Sequence, residues 1–86
     1  MPEISRFYGI SIKMLYDDHN PPHFHAFYNE HKVLIDINNV CILNGWLPKR
    51  ALNMVFEWAK IHQKILLEEW NLAVNKKELF KIMPLK

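Results

Sequence analysis

The hydrophobic pattern of this chain changes its period once, between Gly45 and Pro48. Before that point, apolar residues alternate with polar ones, as in ISRFYGISIKMLY, which is typical of strands with one buried face. After Pro48, apolar residues recur with the period of an amphipathic helix up to about Asn75, and proline suits the first helical turn. This order of strand-like and then helical segments predicts an α+β fold, in which a sheet is followed by one long helix that packs on one face of the sheet.

The first half of the chain contains enough strand segments for an antiparallel meander of four or five strands. Residues 4–16 predict one strand, or two if Gly9 marks a bend, and residues 23–43 predict three more. Turns are expected near residues 29–31 and at Asn38–Asn39, because asparagine tolerates turn conformations. The tail ELFKIMPL is expected to return as an edge strand or as an extended clasp.

The length of the chain, 86 residues of which half are hydrophobic, favours one core and a single domain over residues 1–86. The predicted core consists of Ile10, Ile12, Phe24, Ala26, Val33, Ile35, Ile37, Leu52, Val55, Phe56, Ala59 and Leu66. A second apolar stripe on the helix contains Met54, Trp58, Ile61 and Ile65. Because one sheet cannot cover so wide an arc, this stripe predicts a homodimer or a complex with a small protein partner.

Composition excludes several classes of protein. Cys41 is the only cysteine, so neither an intrachain disulfide nor a CxxC zinc pattern can form, and a cytoplasmic location is expected. The chain contains no run of 18 apolar residues and no basic leader, so neither a membrane span nor a signal peptide is expected. A net charge of +2 permits contact with nucleic acid without requiring it. The candidate contacts to a partner or to phosphate are Arg6, Lys13, Lys49, Arg50 and Trp58.

The segment DDHNPPHFHAF, Asp17–Phe27, holds the densest group of ionisable side chains. Residues two apart on a strand point to the same face, so His23 and His25 are expected to project together, away from Phe24. Pairing with the next strand places one of these histidines opposite Asp36, depending on whether the turn begins at residue 29 or 30. Asp36 is therefore the predicted carboxylate partner of the histidines.

This segment has a chemical and a structural interpretation. His19, His23, His25 and Asp36 could coordinate zinc or another divalent metal, or run acid–base catalysis on a phosphodiester, because imidazole titrates near neutral pH. Alternatively, His19 occupies a turn, His23 pairs with Asp36, and His25 packs on an aromatic ring. The HxH pattern occurs in both cases, and a structural or partner-contact role is favoured. No cofactor is required by the sequence.

Four segments resemble a family of short prokaryotic proteins, domain-of-unknown-function family 4160. They are MPEISRFYGI, DHNPPHFHA, VLIDI and LPKRAL…VFEWAKIH, and they follow one another in the family's order and spacing from Met1 to about Trp70. No catalytic residue is assigned in that family, so the resemblance transfers none. It implies a cytoplasmic protein that works with a partner, because genes of the family often stand beside a second small gene in a toxin–antitoxin-like layout. Asn29 stands where glycine is expected in relatives, which leaves the turn type open.

The leading functional hypothesis is a small component of a toxin–antitoxin-like or regulatory module that binds a protein partner, and it leaves contact with nucleic acid open. The alternative is an enzyme, a small ribonuclease or metal-dependent phosphodiesterase that uses the histidine segment. A nuclease needs the histidines in an open, basic pocket with a group that stabilises negative charge. A binding module instead buries these side chains or ties them to the backbone.

Overall fold

A computed structural model describes residues 2–16 and 18–86, and these residues form five strands followed by two helices. The strands are β1 (Glu3–Phe7), β2 (Ile10–Lys13), β3 (His23–Tyr28), β4 (His31–Asp36) and β5 (Cys41–Gly45), and the helices are α1 (Lys49–Ile61) and α2 (Gln63–Val74). Neighbouring strands pair antiparallel in the order β1-β2-β3-β4-β5. This confirms the predicted α+β fold with an antiparallel meander.

The helical region is broken at His62, so the prediction of one long helix is wrong. The backbone of His62 has φ −109° and ψ 19°, outside the helical region, and its N–H donates to the Trp58 carbonyl at the end of α1. The Gln63 side chain donates to the carbonyls of Ile37 at 2.8 Å and Asn38 at 2.7 Å. These bonds hold the start of α2 at the end of β4. Within the described part of the chain, neither helix has the length and apolarity needed to cross a membrane.

The core lies between one face of the sheet and the helices. Phe24 of β3 is fully buried and meets the Trp58 ring edge-on, with ring centroids 5.6 Å apart, and Phe7 packs against the same indole. Ten of the twelve predicted core residues are buried, and the other two, Leu52 and Phe56, are partly buried against them. The predicted burial pattern is therefore confirmed. The apolar residues that alternate along the strands and recur every 3.6 residues along the helices face the core.

The second apolar stripe of the helix is covered in part by the chain's own tail. The Trp58 indole N–H donates to the Met83 carbonyl at 2.9 Å, and the indole is fully buried. The Ile82 N–H donates to the Ile4 carbonyl at 2.7 Å, so the tail lies as a clasp beside β1. Trp58 is thus a core residue, which corrects the expectation that it contacts a partner. Ile61, in contrast, is 65% exposed.

The turn between β3 and β4 determines which histidine faces Asp36. Asn29 adopts φ 53°, a conformation that asparagine tolerates in two-residue hairpin turns, and the strands on either side pair from Tyr28 and His31 onward. His23 therefore lies opposite Asp36, as one of the two predicted registers required.

Candidate functional site

The histidine segment is positioned by a loop that leads directly into β3. Pro22 precedes the strand, and its carbonyl accepts a hydrogen bond from the Ile37 N–H at 3.0 Å, which holds the loop against the end of β4. Strand alternation then places His23 and His25 on one sheet face and Phe24 on the other. Each histidine side chain is only 7% exposed, so the pair lies beneath the loop rather than on an open surface.

Both imidazoles face a single carboxylate, that of Asp18 in the preceding loop. The Oδ2 atom of Asp18 lies 2.9 Å from His23 Nε2 and 3.0 Å from His25 Nε2. The two imidazole rings are 5.4 Å apart between centroids. The three potential ligand atoms all lie within 4.8 Å of one another. A loop residue and two strand residues therefore converge on one point, and we call this group the Asp18–His23–His25 cluster.

Hydrogen bonding determines where the proton sits on the neutral His23 ring. Its Nδ1 is 2.8 Å from the Pro21 carbonyl oxygen, which can only accept, so Nδ1 carries the hydrogen. The Nε2 atom of the neutral ring is then an acceptor, and it faces the Asp18 carboxylate oxygen, a second acceptor. Two acceptor atoms this close repel each other. A second proton on His23, or a metal cation between the two atoms, removes the repulsion. The Nδ1 atom of His25 has no hydrogen-bond partner among the residues described.

The Asp18 carboxylate is ionised at neutral pH. Burial raises its pKa, but the hydrogen bond from His25 and the attraction of both imidazoles in their protonated forms together lower it more, so the pKa lies below the ordinary value. The Asp18 side chain is 23% exposed and is the solvent-facing member of the cluster. A negative oxygen between two imidazole nitrogens attracts a cation, either a proton or a metal ion.

The carboxylate that meets the histidines differs from the predicted one. Asp36 lies opposite His23, but its Oδ1 accepts from the Asn38 N–H at 3.1 Å and its Oδ2 accepts from the Asn39 side-chain amide at 2.9 Å. Local bonds of this kind compete effectively because they order few additional residues. The prediction of Asp36 as the carboxylate partner is therefore wrong. Asp18 was missed, because its approach to His23 depends on the path of an irregular loop that the hydrophobic pattern does not determine.

The other predicted site residues lie outside the cluster. His19 is exposed and contributes no ligand atom to it, and Asp17, the first residue of the segment, falls outside the described residues. Lys13 lies opposite His25 on β2, and its ammonium stands 5.2 Å from the centroid of the Phe27 ring. The remaining basic candidates are exposed on β1 or at the start of α1, namely Arg6, Lys49 and Arg50.

Comparison with known proteins places the chain in a family without assigning it an activity. The model of the family described as Domain of unknown function (DUF4160) matches residues 9–71, a stretch that includes the whole Asp18–His23–His25 cluster. The chain belongs to this family. The match confirms the resemblance found in the sequence segments. No curated protein and no solved structure shows significant similarity to the chain.

Proposed function

We propose that this DUF4160 protein is a small cytoplasmic component of a toxin–antitoxin-like or regulatory module, and that strand β5 binds an extended segment of its protein partner. The observation that supports this proposal most is the state of β5, which is exposed at all five residues and is the last strand of the described sheet. The opposite edge, β1, is flanked by the tail through the bond from Ile82 to Ile4. An open edge offers unpaired backbone groups that direct the addition of another strand.

The side chains around β5 favour an apolar contact. Ile42 and Leu43 are each 42% exposed, and Trp46, just beyond the strand, is 58% exposed. The Trp46 ring is held edge-on against His31, with centroids 4.9 Å apart. Monomeric proteins usually protect an edge strand with a charge or a proline, and the sequence of β5, CILNG, contains neither. Tryptophan, as at Trp46, is enriched among the residues that carry most of the binding energy of protein interfaces.

The proposed occupant is an acidic protein rather than a second copy of the chain. Lys49 and Arg50 are exposed at the start of α1, immediately after the apolar residues of the edge. The whole chain has a charge of +2, so electrostatics oppose self-association and favour an acidic partner.

The Asp18–His23–His25 cluster supports a binding module more than a ribonuclease. Both histidine side chains are almost completely covered, and one nitrogen of His23 is bound to a backbone carbonyl. Lys13, a predicted basic contact that lies opposite His25, has its ammonium over an aromatic ring. Among the described residues, the covering of the two imidazoles leaves a phosphodiester no open approach, which a general acid–base pair needs.

The test uses the product of the neighbouring gene in the native genome as the probe. The two tag-free proteins are mixed and the dissociation constant is measured by calorimetry. A 1:1 complex is expected, and Leu43→Lys should weaken it at least about tenfold, which corresponds to about 1.4 kcal/mol. Tyr8→Lys, a change at an exposed aromatic residue in the β1–β2 turn, is the matched control and should leave the affinity unchanged.

Three results would contradict the proposal. The first is a complex whose affinity is the same in wild type and Leu43→Lys. The second is a chain that forms only homodimers by light scattering and ignores the neighbouring protein. The third is hydrolysis of RNA by the chain alone that is lost in His25→Ala, which would establish the enzymatic alternative.

A further inference from the structure

We propose that the Asp18–His23–His25 cluster binds one divalent transition-metal ion, with zinc as the best-matched ion. This site is independent of the proposed β5 interface. Two imidazole nitrogens and one carboxylate oxygen form a donor set that suits zinc, iron, cobalt or nickel. Calcium and magnesium are disfavoured because they prefer oxygen ligands in larger number.

The Asp18 oxygen is spaced from each histidine nitrogen nearly as in a zinc site, and all three donor atoms lie within 4.8 Å of one another. Tetrahedral zinc with bonds of about 2.0 to 2.1 Å holds its ligand atoms about 3.3 Å apart. The Asp18 oxygen lies 2.9 and 3.0 Å from the two Nε2 atoms, so a few tenths of an ångström of outward movement admit the ion. Asp18 can make this movement because it lies in a loop and is partly exposed. The three protein ligands leave one tetrahedral position for water.

His23 is already oriented as a metal ligand. Its Nδ1–H donates to the Pro21 carbonyl, which fixes the tautomer and directs the Nε2 lone pair at Asp18. Metal-binding histidines usually donate their second nitrogen to a carbonyl or carboxylate in this way. The ring is also held by packing, because the Trp70 ring lies 5.3 Å from it between centroids.

The function of the ion is to fasten the β2–β3 loop to β3. Asp18 belongs to the loop and both histidines belong to the strand, so one ion cross-links two segments that the hydrogen bonds of Asp18 already bring together. Metal binding of this kind adds to the stability of the folded chain, since the unfolded chain offers no assembled site.

The experiment titrates the metal-stripped, tag-free full chain with Zn²⁺ by calorimetry and with Co²⁺ by visible absorption. Binding of one ion per chain is expected, with a dissociation constant of about 1 µM or tighter for zinc and a tetrahedral cobalt spectrum. Asp18→Asn and His25→Ala should each weaken zinc binding at least about 100-fold. Far-UV circular dichroism establishes that each variant is folded, and if His25→Ala does not fold, the loop variant Asp18→Asn decides.

Two matched controls separate the cluster from other histidines and carboxylates. His19→Ala removes an exposed histidine of the same segment, and Asp36→Asn removes the carboxylate opposite His23 that is bonded elsewhere. Both should bind zinc like the wild type. The proposal is overturned if the wild type takes up no stoichiometric zinc at micromolar concentration, if Asp18→Asn binds normally, or if His19→Ala abolishes binding.

Discussion

Replacing Trp58 by phenylalanine tests whether this side chain belongs to the core or to a binding surface. The indole is fully buried, packs against Phe7 and Phe24, and donates a hydrogen bond to the Met83 carbonyl at 2.9 Å. The phenyl ring keeps most of the aromatic contact but removes the donor and part of the ring. A structural role therefore predicts a measurable loss of stability in the isolated chain.

The size of the loss follows from three contributions. Removing about 40 Å² of buried apolar surface costs about 1 kcal/mol at about 25 cal/mol per Å². The lost hydrogen bond costs about 1 kcal/mol, and the small cavity left behind adds up to about 1 kcal/mol. The total of about 2 to 3 kcal/mol corresponds to a melting temperature lower by about 8 to 24 °C in a domain of this size.

The assay is guanidinium unfolding followed by far-UV circular dichroism, which does not depend on the tryptophan removed. Trp46→Phe is the matched control, because the same change at a residue that is 58% exposed should alter stability by no more than about 0.5 kcal/mol. The reasoning is refuted if Trp58→Phe is as stable as the wild type while an oligomer dissociates. That result would mean that Trp58 faces a partner, as its place on the second helical stripe first indicated.

Three further predictions concern the sheet and α2. Phe24→Ala should lower the free energy of unfolding by about 3 to 5 kcal/mol, measured by chemical denaturation, because the ring is fully buried. Gly45→Ala should lower the free energy of unfolding by at least about 2 kcal/mol in the same assay, since φ is +89° and a Cβ would overlap the Lys32 carbonyl. A variant as stable as the wild type would show that β5 does not pack against β4 in this way. Burial raises the pKa of Glu69, although the Phe80 N–H partly opposes this. The protonated carboxyl is thus favoured by folding, and its contribution is lost as pH rises through the raised pKa. The melting temperature of Glu69→Gln should therefore increase relative to that of the wild type as pH is raised from below the ordinary value of 4.5 to neutral. A constant difference across that range would contradict the assignment.

Much of the fold could be predicted because apolar residues recur with different periods in strands and in helices. The alternation around Phe24 and Ala26 identified the buried face of β3, and the two-residue turn at Asn29 selected one of two registers. Both features depend on neighbours in sequence or on the adjacent strand. They could be read without knowledge of distant contacts.

The wrong predictions concern contacts made by segments that have no hydrophobic periodicity. The covering of Trp58 depends on the tail, whose position beside β1 is determined by long-range packing and a backbone hydrogen bond. The partner of the histidines depends on the path of an irregular loop that returns Asp18 to β3, whereas Asp36 satisfies its own oxygens locally. The break at His62 likewise leaves the hydrophobic period intact, so the pattern could not reveal it.

Amide hydrogen exchange at β5 tests the proposed function most directly. In the free chain, the outward-facing amides of Cys41–Gly45 should exchange rapidly, since no described strand pairs with that edge. On addition of the protein encoded by the neighbouring gene, these amides should become strongly protected while those of residues 75–80 do not change. Formation of the complex with unchanged exchange in β5, and with protection located elsewhere, would contradict the account.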